Sequence, residues 1–240
     1  MASFLLSLVA FSILTASVAT LTLNDVRYVV TNNATNTLGG ERYDSEVGAD
    51  FTVQVLRNAT VFVWKVFEQG PDERKDVHEV HLYVRSADGI ANTDGGSNIF
   101  VSADYIGNFS GDVRPFLTGV LYHEVTHVWQ WNGQGTAPGG LTEGIADYVM
   151  FKAGMLGWGK PGAGSRWDEG YEVTAMFLDY CASFKSSFVA DLNKLMKDKY
   201  SDGHFQTLLG KPLDQLWADY KAKYGGGGQA VKHPSMHRNI

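Results

Sequence analysis

Hydrophobic and polar positions along the chain alternate first as strands and helices together, then as helices alone. Val26 to Thr31 is a β-branched run that ends in Asn32, Asn33 and Ala34, a strand entering a loop. Between residues 45 and 67, Val47, Phe51, Val55, Phe62 and Phe67 recur mostly at four- and seven-residue steps, which predicts one long helix stopped by Gly70 and Pro71. Val80, Leu82 and Val84 alternate with His81, Tyr83 and Arg85, the period of a strand. Asp88 to Asn98 is rich in Gly, Asn and Asp and reads as a turn region, with a further strand over Ile99 to Tyr105. From Asp112 the pattern turns helical, with helices expected over 113–131, 141–153, 170–185, 187–198 and 213–223. That order predicts an α+β fold, a mixed sheet with an embedded helix followed by a mainly helical lower lobe. There is no internal repeat, and residues 225–240 read as a Gly-rich linker and flexible tail.

The first residues carry a different signal. Phe4 to Val18 is uncharged and apolar, no charge precedes Asp25, and Ser17 and Ala19 are spaced like a signal-peptidase site. The expected organisation is a signal peptide over 1–19 and one domain over 20–224. The run is shorter than the roughly 20 residues a bilayer span requires, so no membrane association is expected after cleavage. Sequons at Asn33, Asn58 and Asn108 fit a secretory route to the extracellular space (the apoplast, in a plant). A net charge of −6 without clustered Lys or Arg argues against nucleic-acid binding. The single cysteine, Cys181, excludes an internal disulfide framework and reads as a buried small hydrophobe.

Candidate chemistry falls between residues 120 and 150. His123-Glu124-Val125-Thr126-His127 places two imidazoles at i and i+4, on one helix face, where both reach a single metal ion. Leu117, Leu121, Val125 and Val128 form the opposing apolar stripe. Two neutral imidazoles favour one Zn²⁺ per chain, and Glu124 stands where it can take a proton from water. A catalytic zinc needs a third protein ligand. Extension of the motif to a third histidine is excluded, because Gln130 and Gly133 occupy the required positions. After the Gly/Pro-rich stretch Gly133 to Gly140, Glu143 and Asp147 are again four apart and share a face. Glu143 as ligand would leave Asp147 to take the other ring N–H of a histidine. An acidic residue in a first helical turn also suits the helix dipole, and Asp147 stays open as an alternative third ligand.

His123-Glu-x-x-His127 followed by Glu143-Gly-x-Ala-Asp147 resembles the gluzincin pattern of zinc metallopeptidases. The run HEVTHVWQWNGQGTAPGGLTEGIADYV resembles the plant basic secretory proteins, a secreted, defence-associated family of peptidase-like proteins. The likeness extends from about Leu23 to Tyr224, including Trp167-Asp-Glu-Gly-Tyr171 and Phe177-Leu-Asp-Tyr-Cys181. It implies a zincin-like metallopeptidase domain with zinc held by His123, His127 and Glu143. It further implies that Glu124 activates water and that Asp147 orients a ligand histidine. Two departures are the acidic balance of this chain and the short gap between His127 and Glu143. Tyr171, in a Gly-bracketed segment before a helix, is the candidate oxyanion donor, and Ile99 to Ala103 the candidate sheet edge for a substrate strand. A monomer acting as an endopeptidase on peptide or protein substrates is expected. A non-catalytic, zinc-containing defence or cell-wall binding protein, or a zinc hydrolase of other substrates, is the alternative. Trp129 and Trp131 are read as braces of the metal-site helix, His78 and His81 as strand surface, and His233 and His237 as part of the tail.

Overall fold

The computed structural model describes residues 22–155 and 159–225, so the leader expected over 1–19 and the tail beyond residue 225, with His233 and His237, lie outside the described residues. Strand β1 (Arg27–Asn32) leads into a short helix α1 (Leu38–Arg42), a π turn (Tyr43–Val47) and the long helix α2 (Ala49–Val66). Strands β2 (Glu79–Arg85), β3 (Ala91–Thr93) and β4 (Asn98–Ser102) follow, then α3 (Ala103–Asn108) and α4 (Val113–Trp129). Helices α5 (Gly139–Lys152), α6 (Tyr171–Ala182), α7 (Phe188–Leu195), α8 (Gly203–Leu209) and α9 (Leu213–Tyr224) complete the chain. The result is α+β, a small mixed sheet with many helices.

The sheet order is β1-β2-β4-β3, with β1, β2 and β4 parallel and β3 antiparallel to β4. Alternation sends Val80, Leu82, Val84, Ile99 and Val101 to the buried face. Tyr83, on the other face, stacks between His81 and Phe100 at centroid distances of 3.9 and 5.5 Å. Helix α2 packs on β1 and α4, and α4 in turn packs on β3 and α5. Val55, Leu56, Ala59 and Val63 of α2 supply one wall of the core; Leu117, Leu121, Val125 and Val128 of α4 supply its centre. Trp129 meets Trp64 edge to face at 4.9 Å and donates its indole N–H to Thr60, so it braces α4 from the core side.

Four local expectations are corrected by the structure. The helix expected over 45–67 is broken at Gly48, whose φ of 79° separates the π turn from α2. The strand expected over Ile99 to Tyr105 stops at Ser102, because the Ser102 hydroxyl accepts from the Tyr105 N–H and starts α3. The turn region over 88–98 contains β3. Consequently β4 is interior, and the edge on that side of the sheet is β3 rather than Ile99 to Ala103, with β1 at the opposite edge. Cys181 is fully buried, as a small hydrophobe would be.

Helix α6 packs tightly against α5. A Cβ added at Gly140 would lie 1.9 Å from the Asp168 carbonyl oxygen, and one at Gly144 would lie 2.3 Å from the Thr174 side chain. The two glycines are one helical turn apart, so they form a strip against which the start of α6 lies directly. Thr174 is fixed from its own side, donating to the Trp167 carbonyl and accepting from the Gly170 N–H. A methyl group at Gly144 therefore has no way to be accommodated except by separating the helices. Gly144→Ala should cost about 1–3 kcal/mol, a drop of several degrees in Tm for a domain of this size. Gly139→Ala, with nothing within 4 Å of the added carbon, should not lower it. Thermal unfolding of the pair, followed by circular dichroism, checks this; equal melting points would show that the contact has slack.

Candidate metal centre

Helix α4 begins where the Asp112 carboxylate accepts from the Arg114 N–H at 3.0 Å, and it runs through the protein with nearly every side buried. His123 and Glu124 are fully buried, whereas the side chain of His127, one turn later, is 14% exposed and lines a cleft. The two imidazoles meet edge to face with centroids 4.7 Å apart. The chain then reverses through Gly133, Gln134 and Gly135, all at positive φ. Thr136 ties this bend to the helical lobe: its hydroxyl donates to the Gly133 carbonyl and accepts from the Tyr200 N–H. Helix α5 returns alongside α4 and presents two carboxylates from successive turns.

Those carboxylates take opposite ends of one ring. Asp147 Oδ1 lies 2.7 Å from His123 Nδ1, and Glu143 Oε2 lies 3.0 Å from His123 Nε2. The other oxygen of Glu143 is 3.6 Å from His127 Nε2. A neutral imidazole has a single N–H, so it can donate to only one of two flanking carboxylates. The second contact needs either another proton or a cation shared between Nε2 and Glu143. Ligand atoms of His123, His127 and Glu143 all lie within 4.8 Å of one another, the candidate metal cluster among the described residues. A tetrahedral zinc site with bonds near 2.0–2.1 Å has ligand–ligand edges of about 3.3 Å. The separations of 3.0 and 3.6 Å straddle that edge. Two imidazoles and a carboxylate are a catalytic zinc donor set, so the residues fit the ion. Asp147, at the far nitrogen of His123, lies outside the cluster. Burial alone would raise the Glu143 carboxyl, but hydrogen bonds and charge from His123 and His127 hold it well below the usual carboxylate range.

The candidate metal cluster opens on a cleft of about 330 Å³, lined by Lys75, Thr93, Glu124, His127, Glu143 and Tyr171 among others. Thr93, at the end of β3, donates its hydroxyl to Glu124 Oε2 at 2.8 Å and to the Glu124 carbonyl at 3.1 Å. The edge strand thus fixes the carboxylate of the helix beneath it. Tyr171 is placed in the same cleft with its ring stacked on His123, centroids 6.1 Å apart. Its φ of 45° is unusual for a non-glycine residue. Gln130, just past α4, sets its amide 2.7 Å from His127 Nδ1 and 3.3 Å from the Thr142 carbonyl. Trp131 points elsewhere, its ring facing Lys75 and Lys197. His81 bonds Thr31 and stacks on Tyr83, and His78 precedes the strand, both remote from the metal cluster.

Thr93, Gln130 and Lys75 are the residues the sequence reading missed. Gln130 alone had a local signal, three residues past His127 and therefore on its face of the helix. Asn33, Asn58 and Asn108 are all exposed, Asn58 within α2. Among the described residues, no helix is long and apolar enough to cross a membrane.

A family model described as "Peptidase of plants and bacteria" matches residues 23–220. The "Basic secretory protease" of Boswellia serrata is 44% identical over 63 residues, a stretch covering 26% of this chain and 73% of that protein. No solved structure matches the chain.

Titration with cobalt(II), a spectroscopic stand-in for zinc, tests the cluster directly. One ion per chain with tetrahedral absorption is expected, lost in Glu143→Gln and in His127→Ala. Asp147→Asn should keep the spectrum and weaken affinity about 10- to 100-fold. Unchanged affinity in that variant would remove Asp147 from any orienting role.

Proposed function

The chain belongs to the family of peptidases of plants and bacteria, and from that premise we propose that it is a secreted zinc metallopeptidase, an endopeptidase of zincin-like fold acting in plant defence. The observation that carries this reading is the convergence of His123 Nε2, His127 Nε2 and the Glu143 carboxylate beside a buried glutamate and an open cleft. His123, His127 and Glu143 would hold the ion, with Asp147 fixing the tautomer of His123. When bound, zinc supplies Lewis acidity, polarising a carbonyl and making water easier to deprotonate.

The other steps belong to side chains of this protein. Glu124 is the general base, taking the proton of the attacking water and handing it to the departing amine. Thr93 holds one oxygen of that carboxylate, so its plane is set before substrate arrives. An extended peptide would add along the edge of β3, whose residues Ala91, Asn92 and Thr93 line the cleft. Tyr171, stacked on His123 at the cleft wall, is the candidate donor to the developing oxyanion. The sequons Asn33, Asn58 and Asn108, the leader expected over 1–19 and the secretory name of the Boswellia relative support export.

Glu124→Gln should retain zinc and lower kcat on unfolded protein substrates at least about a hundredfold. Equal cleavage by the two proteins would overturn the mechanism. Absence of cleavage by the parent, with zinc present, would leave the non-catalytic binding protein as the reading. Thr93→Val should lower kcat about tenfold with little change in KM, since it removes a hydrogen bond to the base and not a contact to substrate. A change confined to KM would instead place Thr93 in substrate binding.

A further inference from the structure

The carboxylates of the cleft all have partners. Glu124 is held by Thr93, and Glu143 lies against the two histidines. Asp94 accepts from the backbone N–H groups of Gly96 and Asn98 and from the Asn98 amide. Lys75 is different. It is the only Lys or Arg among the residues that line the cleft. Among the described residues, no carboxylate lies within 4.0 Å of its ammonium. Its ammonium lies over the ring of Trp131, 5.5 Å from the centroid, a ring that Lys197 also approaches at 5.5 Å. An aromatic face attracts a cation but does not neutralise it, and a second ammonium near the same ring adds repulsion.

Burial pushes the Lys75 ammonium down to about 8, which says that the protein supplies less stabilisation of the charge than water does. The position is set by the backbone. Lys75 lies between the turn at Pro71–Glu73 and the start of β2, and its carbonyl accepts from the Val77 N–H. An incoming anion would meet a partly dehydrated cation, the setting in which a charge-assisted hydrogen bond is strong.

Resting on the peptidase reading, we infer that Lys75 is a specificity-determining residue that receives a carboxylate of the bound peptide, from an Asp or Glu side chain or from a free C-terminus. The two sources share one chemistry and differ in where along the peptide the charge must sit.

Binding separates this from catalysis. The probes are fluorescein-labelled decapeptides of neutral sequence carrying a single Glu, Gln or Lys at each position in turn, and the neutral peptide as C-terminal acid and amide. Kd values are measured by anisotropy on the zinc-loaded Glu124→Gln protein, alone and with Lys75→Met, Lys75→Arg or Lys75→Glu added. At one position Glu should bind about tenfold more tightly than Gln; if the recognised group is the terminal carboxylate, acid over amide shows that ratio instead. The ratio should fall to near one in Lys75→Met, persist in Lys75→Arg and turn in favour of Lys peptides in Lys75→Glu. Because each comparison is a ratio within one protein, a general loss of folding does not imitate it.

No carboxylate preference anywhere in the parent, or one that survives in Lys75→Met, overturns the inference; survival that ends on zinc removal would assign the carboxylate to the ion. Cleavage of the same peptides by the protein with Glu124 intact is scored separately. Cleavage without a preference sinks the role of Lys75 and leaves the peptidase. A Lys75-dependent preference without cleavage does the reverse.

Discussion

The imidazole of His123, sealed from solvent with an α5 carboxylate at each nitrogen, is the constraint that orders everything around it. A buried ring in that position cannot satisfy both partners with one proton, and it cannot turn to water for another. The arrangement therefore requires α4 and α5 to be held at fixed spacing and register, since a shift of one helical turn would leave a carboxylate at only one of the two nitrogens, with Phe151 or Gly139 opposite the other. It also divides the work of the two acids by geometry alone. Asp147 faces the nitrogen turned into the core, whereas Glu143 faces the nitrogen turned toward His127 and the cleft. Identical chemistry at Glu143 and Asp147 thus acquires different use from a single turn of helix.

This division was half visible in the chain. Both four-residue spacings, His123 to His127 and Glu143 to Asp147, are local, and helical periodicity alone puts each pair on one face. The choice between Glu143 and Asp147 as the group nearest both histidines is not local, because it depends on how α5 returns past α4. Strands β1 and β2 and helix α4 were legible for the same reason, each having a long run with one clear period. The missed elements are short or polar. Helix α8 buries only Phe205, so its periodicity has a single point. Strand β3 has three residues in a stretch rich in Gly, Asn and Asp, and its position as the sheet edge is a matter of topology that no residue pattern encodes. Thr93 and Lys75 reach the cleft by pairing and chain reversal, and so carry no signature that spacing could reveal.

The cleft is anionic by composition, yet its acids are differently committed. Glu124 is fully buried with the Thr93 hydroxyl on one oxygen, a contact that fixes its direction. Glu143, whose burial alone would raise its carboxyl, is held low by the hydrogen bonds and charge of the imidazoles beside it. Asp94 spends its charge on closing the loop between β3 and β4. Under the peptidase reading, a peptide entering along β3 would meet acids that already have partners and, elsewhere on the lining, the cation of Lys75.

Tyr171 shows how the remaining wall is set. A tyrosine at φ 45° costs roughly 1–2 kcal/mol relative to ordinary backbone, and it follows Gly170 at φ 96°. Two consecutive residues at positive φ turn the chain abruptly into α6, at the point where a Cβ added to Gly170 would lie 3.4 Å from the Gly140 Cα. The same contact that lets α6 lie against Gly140 and Gly144 brings the Tyr171 ring onto His123. Relaxing the strain would require α6 to start later or lie farther out, and either change would remove the ring from the cleft. Gly140 and Gly144 alternate with Glu143 and Asp147 at i, i+3, i+4 and i+7, so the small residues that admit α6 closely lie on the same side of α5 as the carboxylates and hold an aromatic wall next to them.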